Sequence, residues 1–257
     1  MSNEFPPPKQ YDTFAQSYES IECLPISRIE SALIDSALGD CTGLSILDLG
    51  GGSGMHARRA VAQANAASVD VVDISKEMLR VGQSTTSPNS DRIRWLEADV
   101  SKPLSPTLGL KEGGYDVVMA NWVFDHATSE EALTGMWANI VQSLKPGGKF
   151  LGVRVLFPES EYITKGKYGV TFTKREEIAG GWKYEIGCLT DPPFSFWSTS
   201  MRSTLDLDHE IPKRLGLDQF EVVDYQETEL VKSDPGFWEE LVRDPSLAVV
   251  VARKPEA

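Results

Sequence analysis

Two hydrophobic periods alternate along the first half of the chain. Ile46, Leu47 and Leu49 enclose Asp48 and predict a short buried strand over Ile46–Leu49, and the Ala-, Arg- and Gln-rich run Met55–Ala66 predicts a helix. Val69, Val71 and Val72 predict a second strand ending at Asp73, with Ser75 as the N-cap of the helix that follows. R-I-R-W-L-E-A-D-V predicts a third strand ending near Asp99, and Tyr115–Ala120 a fourth. Glu130–Leu144 is amphipathic from Ser129 on, and K-P-G-G-K is expected to end that helix and turn into a fifth strand. Strands alternating with helices predict an α/β fold.

From Pro158 to Thr199 the pattern changes. Y-G-V-T-F-T (168–173), W-K-Y-E-I-G-C (182–188) and F-S-F-W-S (194–198) predict short antiparallel strands separated by G-G and D-P-P turns. A helix near Met201–Leu215, a strand at Phe220–Thr228, the segment F-W-E-E-L (237–241) and a buried strand in S-L-A-V-V-V-A-R-K complete the chain. At the other end, Tyr11, Phe14 and Tyr18 stand at i, i+3 and i+7 and predict one aromatic helical face over Lys9–Ser20. A second helix is expected from Ile26 to Leu38, stopped by Gly39. Residues 1–8 are expected to be a flexible lead, Ser84–Asp91 a mobile polar link, and Ser101–Gly114 a loop.

Composition narrows the function classes. The 257 residues, 41% hydrophobic, can fill one sizeable core. A net charge of -13 offers no basic footprint for nucleic acid. No apolar run approaches the roughly 20 residues of a membrane span, and M-S-N-E-F-P-P-P lacks a signal-peptide pattern. Cys23, Cys41 and Cys188 share no metal-ligand spacing; with the absent signal they predict a cytoplasmic protein without a metal.

The chemistry concentrates in D-L-G-G-G-S-G, where Gly50, Gly51, Gly52 and Gly54 join the first strand to its helix. Such a turn lets a ligand approach bare backbone at a helix N-terminus. No Lys follows Gly54, which excludes a Walker loop, and the third glycine of a dinucleotide fingerprint would fall on Met55. A tight turn that binds nothing is the remaining alternative. Asp73, at the end of the second strand and roughly 20 residues beyond the glycines, stands where an acid can bond ribose hydroxyls.

The spacing of D-L-G-G-G-S-G resembles motif I of the class I S-adenosylmethionine-dependent methyltransferases, and D-I-S-x-x-M-L, the crevice segment N-W-V-F-D-H and K-P-G-G-K-F-L-G-V resemble later segments of that family. The resemblance implies a Rossmann-like fold, a mostly parallel seven-stranded sheet with helices on both faces and a small antiparallel cap after strand five. It implies S-adenosylmethionine as cofactor and S-adenosylhomocysteine as its product. By resemblance, Gly50, Gly52, Gly54 and Asp48 meet the methionine part, Asp73 the ribose, Ile74 and Met78 the adenosine, and Asp99 and Val100 the adenine. Asn121 and Trp122 would wall the cofactor, and Asp125 and His126 would face the acceptor. Y-D-x-x-A-x-x-Y is similar to the lid helix of small-molecule members, with Tyr11 and Tyr18 closing over the cofactor and Phe14 packing.

The expected organisation is a single methyltransferase domain over residues 9–257, with lid helices at 9–42 and a cap at 158–199. The lid, Y-G-V-x-F, D-P-P-F-S-F-W and F-W-E-E-L look similar to the toxoflavin synthase-like methyltransferases of small heterocycles. That implies methylation at N or O of a small aromatic or heterocyclic molecule, with Tyr162, Tyr168 and Trp197 as substrate-pocket residues and neither nucleic acid nor membrane as partner. Two readings of His126 stand: a general base suited to neutral pH, with Asp125 as substitute, or a hydrogen-bonded structural group. The cap aromatics likewise either line a pocket or pack hairpins. The competing function keeps the cofactor site in a cyclase, an isomerase or a non-transferring binding subunit.

Overall fold

Buried, β-branched strands end up in the middle of the molecule because both of their faces are apolar. In the computed structural model, which describes residues 10–85, 88–104, 108–110 and 112–256, the strands are β1 (Ser45–Leu49), β2 (Ser68–Asp73), β3 (Ile93–Glu97), β4 (Tyr115–Met119), β5 (Leu144–Val155), β6 (Val170–Ile178), β7 (Gly181–Cys188), β8 (Phe194–Met201), β9 (Asp218–Val222) and β10 (Leu247–Arg253). The helices are α1 (Ala15–Tyr18), α2 (Pro25–Leu38), α3 (Met55–Ala62), α4 (Lys76–Ser84), α5 (Glu130–Ser143), α6 (Tyr162–Lys165), α7 (Arg202–Leu205), α8 (Glu210–Leu215), α9 (Glu229–Ser233) and α10 (Pro235–Arg243).

A seven-stranded sheet runs in the order β3-β2-β1-β4-β5-β10-β9. Its first five strands are parallel, and β10 inserts antiparallel between β5 and β9. The chain order reverses between β1 and β4, so their carboxyl ends open a crevice at the topological switch point. One apolar cluster joins α2, α3 and α10 to one face of the sheet, and a second joins α5 and α8 to the other. In the second, Trp137 stacks on Phe124 at 4.4 Å and meets Phe150 edge-on at 4.8 Å. A separate three-stranded antiparallel sheet, β6-β7-β8, follows β5.

Several expected elements differ in extent. The N-terminal segment is no single helix: a 3-10 turn at Gln10–Thr13, α1 and a second 3-10 turn at Glu19–Cys23 follow one another. Tyr11, Phe14 and Tyr18 still cluster, with ring centroids 5.2 to 6.3 Å apart. α3 stops at Ala62, before the left-handed Asn65. K-P-G-G-K lies inside β5, where Tyr115 opposes Leu144 but Val117 opposes Lys149, so the intervening residues bulge out. The helix expected over Met201–Leu215 is broken at Leu207, which has φ +51°, into α7 and α8. β9 ends at Val222, ahead of an Asp224-capped turn. The expected lead at 1–8 lies outside the described residues, as do positions 86–87 of the polar link and 105–107 and 111 of the long loop. No helix among the described residues is long and apolar enough to cross a membrane.

Candidate functional site

β1 delivers Asp48 to the crevice at 1% exposure. Neither carboxylate oxygen has a hydrogen-bond partner in the protein. Burial pushes the group up to about 7, against the pull of His56. The glycine turn keeps this carboxylate uncovered, since a Cβ on Gly51 would lie 2.6 Å from Asp48 Oδ2. Gly50 and Gly52 line the same cavity. Gly54 does not: it caps α3 with φ +76°, and a Cβ there would stand 2.3 Å from the Trp95 ring. Its constraint is packing of the helix start, a correction to its expected place among the cofactor contacts.

Asp73 closes β2 and is organised by backbone. Its Oδ2 accepts from Gly52 N at 2.8 Å and its Oδ1 from Ser75 N at 2.7 Å. Burial nonetheless pushes it up to about 6. Ser75 caps α4 by accepting from Met78 N at 3.1 Å and donates to Asp12 Oδ1 at 2.5 Å, which ties the N-terminal segment to this wall. Ile74 and Met78 complete that side, and Asp99 and Val100 lie farther along the cavity. Asp99 Oδ1 accepts from Ser101 N and Oγ at 2.9 and 2.7 Å, while Val100 O accepts from Asn139 Nδ2 at 2.8 Å.

β4 ends in Asn121, 8% exposed, whose amide oxygen and nitrogen both lack protein partners. Trp122 follows with φ +60°, a costly left-handed conformation for a bulky residue. Its indole Nε1 donates to Glu30 Oε1 on α2 at 2.8 Å. Glu30 Oε1 also lies 3.2 Å from His56 Nε2 on the first turn of α3. The next residues form a 3-10 turn, Val123–His126.

His126 faces the cavity, and its Nε2 lies 2.9 Å from the Tyr11 hydroxyl. Burial lowers His126 to about 4 and raises Tyr11 well above its ordinary value. Both are therefore neutral at pH 7, and the imidazole tautomer sets which of the two donates in their hydrogen bond. Asp125 points away. It is 1% exposed, does not line the cavity, and its Oδ1 accepts from Ser200 Oγ of β8 at 2.8 Å. Burial pushes Asp125 up to about 7, but it sits behind the wall as a tether to the cap sheet. This corrects its expected place beside the acceptor.

Tyr11 and Tyr18 line the cavity, while Phe14 packs on Phe194 and Phe196 at 5.1 and 5.8 Å. Gln10 clamps the Trp197 backbone in both senses: its Nε2 donates to Trp197 O at 2.7 Å and its Oε1 accepts from Trp197 N at 3.0 Å. The cavity measures about 820 Å³. The cap tyrosines do not reach it. Tyr162 donates to Asp244 O at 2.7 Å; Tyr168 donates to Phe237 O at 2.8 Å and stacks on Trp238. Both are core residues beneath α10. The Trp197 ring is outside the lining as well, with Lys183 Nζ 4.8 Å from its centroid. Sequence reasoning missed Glu30, His56 and Gln10. The available signal for Glu30 is an acid within the buried stripe Ile26, Ile29, Leu33 of an amphipathic helix.

The family model described as "Methyltransferase domain" matches residues 46–148, from β1 into β5. A malonyl-[acyl-carrier protein] O-methyltransferase of Halalkalibacterium halodurans is 33% identical over 110 residues, which are 42% of this chain and 37% of that protein. The matched segment thus spans well under half of that relative's length. A methyltransferase solved in complex with the Haloferax volcanii Trm112 methyltransferase activator superimposes with a TM-score of 0.61 at 15% identity, covering 96% of this chain and 99% of that one. The [4+2]-cyclase SpnF superimposes with a TM-score of 0.58 at 16% identity, covering 96% and 95%. At such identities the structures speak to the fold alone.

Proposed function

We propose that this chain, whose residues 46–148 match the family model described as "Methyltransferase domain", is a class I S-adenosylmethionine-dependent methyltransferase that takes S-adenosylmethionine as cofactor and methylates an N or O atom of a small aromatic or heterocyclic molecule. The carrying observation is the pairing of unpaired buried polar atoms with a large cavity. Asp48 presents two acceptor oxygens and Asn121 a free amide to a space of about 820 Å³. Buried polar groups are rarely left unsatisfied, so a ligand bearing an ammonium and further polar atoms fits there. Bound S-adenosylmethionine supplies a methyl group activated on a sulfonium.

The chain's residues then have these roles. Asp48 accepts from the ammonium; Asp73, held by Gly52 N and Ser75 N, accepts from the ribose hydroxyls. Gly50 and Gly52 offer backbone, Ile74 and Met78 flank the adenosine, and Asp99 with Val100 meets the adenine. Asn121 and Trp122 wall the methionine part. Tyr11 and Tyr18 exclude water, and holding the nucleophile in line in a dry pocket is the main catalytic task. The acceptor lies against Tyr11 and His126. Where the acceptor is a hydroxyl, its proton passes to the Tyr11 oxygen as Tyr11 gives its own to His126 Nε2. Residues 9–257 are read as one methyltransferase unit, with 158–199 capping the acceptor end.

The experiment is incubation with S-adenosylmethionine and a panel of heterocyclic and phenolic acceptors, quantifying S-adenosylhomocysteine and product by mass spectrometry. Equal amounts of the two establish transfer. Acceptor conversion without S-adenosylhomocysteine establishes the competing reading, a cyclase or isomerase on the same scaffold, which the likeness to SpnF keeps in view. Asp73→Ala should weaken S-adenosylhomocysteine binding at least tenfold, roughly the worth of one charge-assisted hydrogen bond. Unchanged affinity would overturn the placement of the ribose.

A further inference from the structure

The cavity wall beside Asp48 holds an arrangement that the roles above leave unused. His56 stands on the first turn of α3, immediately after the glycine turn, and lines the cavity. Its Nε2 is 3.2 Å from Glu30 Oε1, and its Nδ1 is buried with no partner. Glu30 is itself 5% exposed and holds Trp122 by the same oxygen. The charged groups acting on His56 are Glu30 from α2, Asp48 from β1 and Arg59 from its own helix. Burial lowers its affinity for a proton, but the hydrogen bond and charge of Glu30, with the charge of Asp48, outweigh burial and raise it overall. Among the described lining residues, Lys102 is the one lysine or arginine, and it lies with Asp99–Pro103 at the adenine end.

A carboxylate beside an ammonium is the chemistry this wall suits. Asp48 supplies an unpaired acceptor at 1% exposure, His56 Nδ1–H an unpaired donor, and the α3 N-terminus further positive potential. We propose that His56, oriented and kept cationic by Glu30, binds the carboxylate of the cofactor's amino-acid end while Asp48 binds its ammonium. The proposal rests on the cofactor reading above. It makes Glu30 a positioning residue that serves two walls at once, fixing Trp122 in its strained conformation and fixing the charge and direction of His56.

The test is calorimetric binding of S-adenosylhomocysteine and of its decarboxylated counterpart, which keeps nucleoside, thioether and amine. The intact protein should prefer the carboxylated ligand by tenfold or more, the order expected of a charge-assisted hydrogen bond. His56→Gln should compress the preference to about threefold or less while still binding the decarboxylated ligand, which also demonstrates a folded site. Glu30→Gln, which retains an acceptor for Trp122 but leaves the burial of His56 opposed by Asp48 without the charge of Glu30, should diminish the preference, most strongly at the alkaline end of a series from about pH 6 to about pH 8.5. An undiminished preference in His56→Gln overturns the proposal alone. Failure of the intact protein to bind either ligand overturns the cofactor reading and the proposal with it.

Discussion

Asp48 and His126 show how burial sets the state of a single side chain. An isolated carboxyl titrates near 3.9, whereas burial holds Asp48 at about 7. Because the folded value is raised, its stabilising contribution is complete below about pH 4 and is lost as pH rises through about 7. Asp48→Asn should therefore raise the melting temperature of the ligand-free protein at pH 8 by several degrees, on the order of 2 kcal/mol, and by less at pH 5. Scanning calorimetry at the two pH values checks this. The same variant should lose affinity for S-adenosylhomocysteine, so stability and binding move in opposite directions. His126 leads to a kinetic expectation. Lowered to about 4 and hydrogen-bonded to Tyr11, it should contribute no inflection to the kcat/KM profile between about pH 5.5 and 8. An inflection near its ordinary value that disappears in His126→Gln would contradict the neutral, Tyr11-bound imidazole. The acids at the ends of β1, β2 and β3 were legible in the sequence because strand ends at a switch point converge whatever packs around them. Glu30 and His56 were not, since their meeting depends on how α2 lies against α3, a tertiary fact with no local pattern.

At the scale of elements, the lid is a set of short turns held by specific ties. Asp12 is bound to Ser75 at the start of α4, Tyr11 to His126, and the Gln10 amide to both backbone groups of Trp197 on β8. The sequence showed the aromatic stripe but suggested one continuous helix. Tyr11, in the first 3-10 turn, and Phe14, just beyond it, both meet Phe196 of the cap. Gln10→Ala removes two hydrogen bonds between lid and cap and trims one lining side chain of the cavity. It should speed S-adenosylhomocysteine dissociation by roughly three- to tenfold, with a smaller effect on association. Stopped-flow displacement measures both, and an unchanged dissociation rate would show that the lid is held by its aromatic stack alone. The cap was legible as strands but not in its orientation. Tyr162 and Tyr168 read as pocket aromatics until α10 is seen lying over them.

For the whole molecule, charge distribution bears on the acceptor. The chain carries a net charge of -13, and the cavity is lined by Asp48, Asp73, Asp99, Glu30 and Glu131. Glu30 is engaged by His56 and Trp122, and Asp99 by Ser101; the field at the mouth is nevertheless negative and repels anions on approach. A carboxylated acceptor therefore meets a barrier that a neutral isostere of the same shape avoids. Surface and mouth charges are screened by salt, whereas the buried pairs hardly are. Raising ionic strength from about 10 mM to about 0.5 M, across which the Debye length falls from roughly 30 Å to about 4 Å, should raise kcat/KM for an anionic acceptor several-fold and leave that of its neutral isostere nearly flat. The two acceptors should differ most at low salt and converge without meeting, because the cavity acids still desolvate an anion unfavourably once it is inside. A salt-independent preference would place the discrimination wholly in the pocket, and a preference for the anion at low salt would contradict the negative mouth.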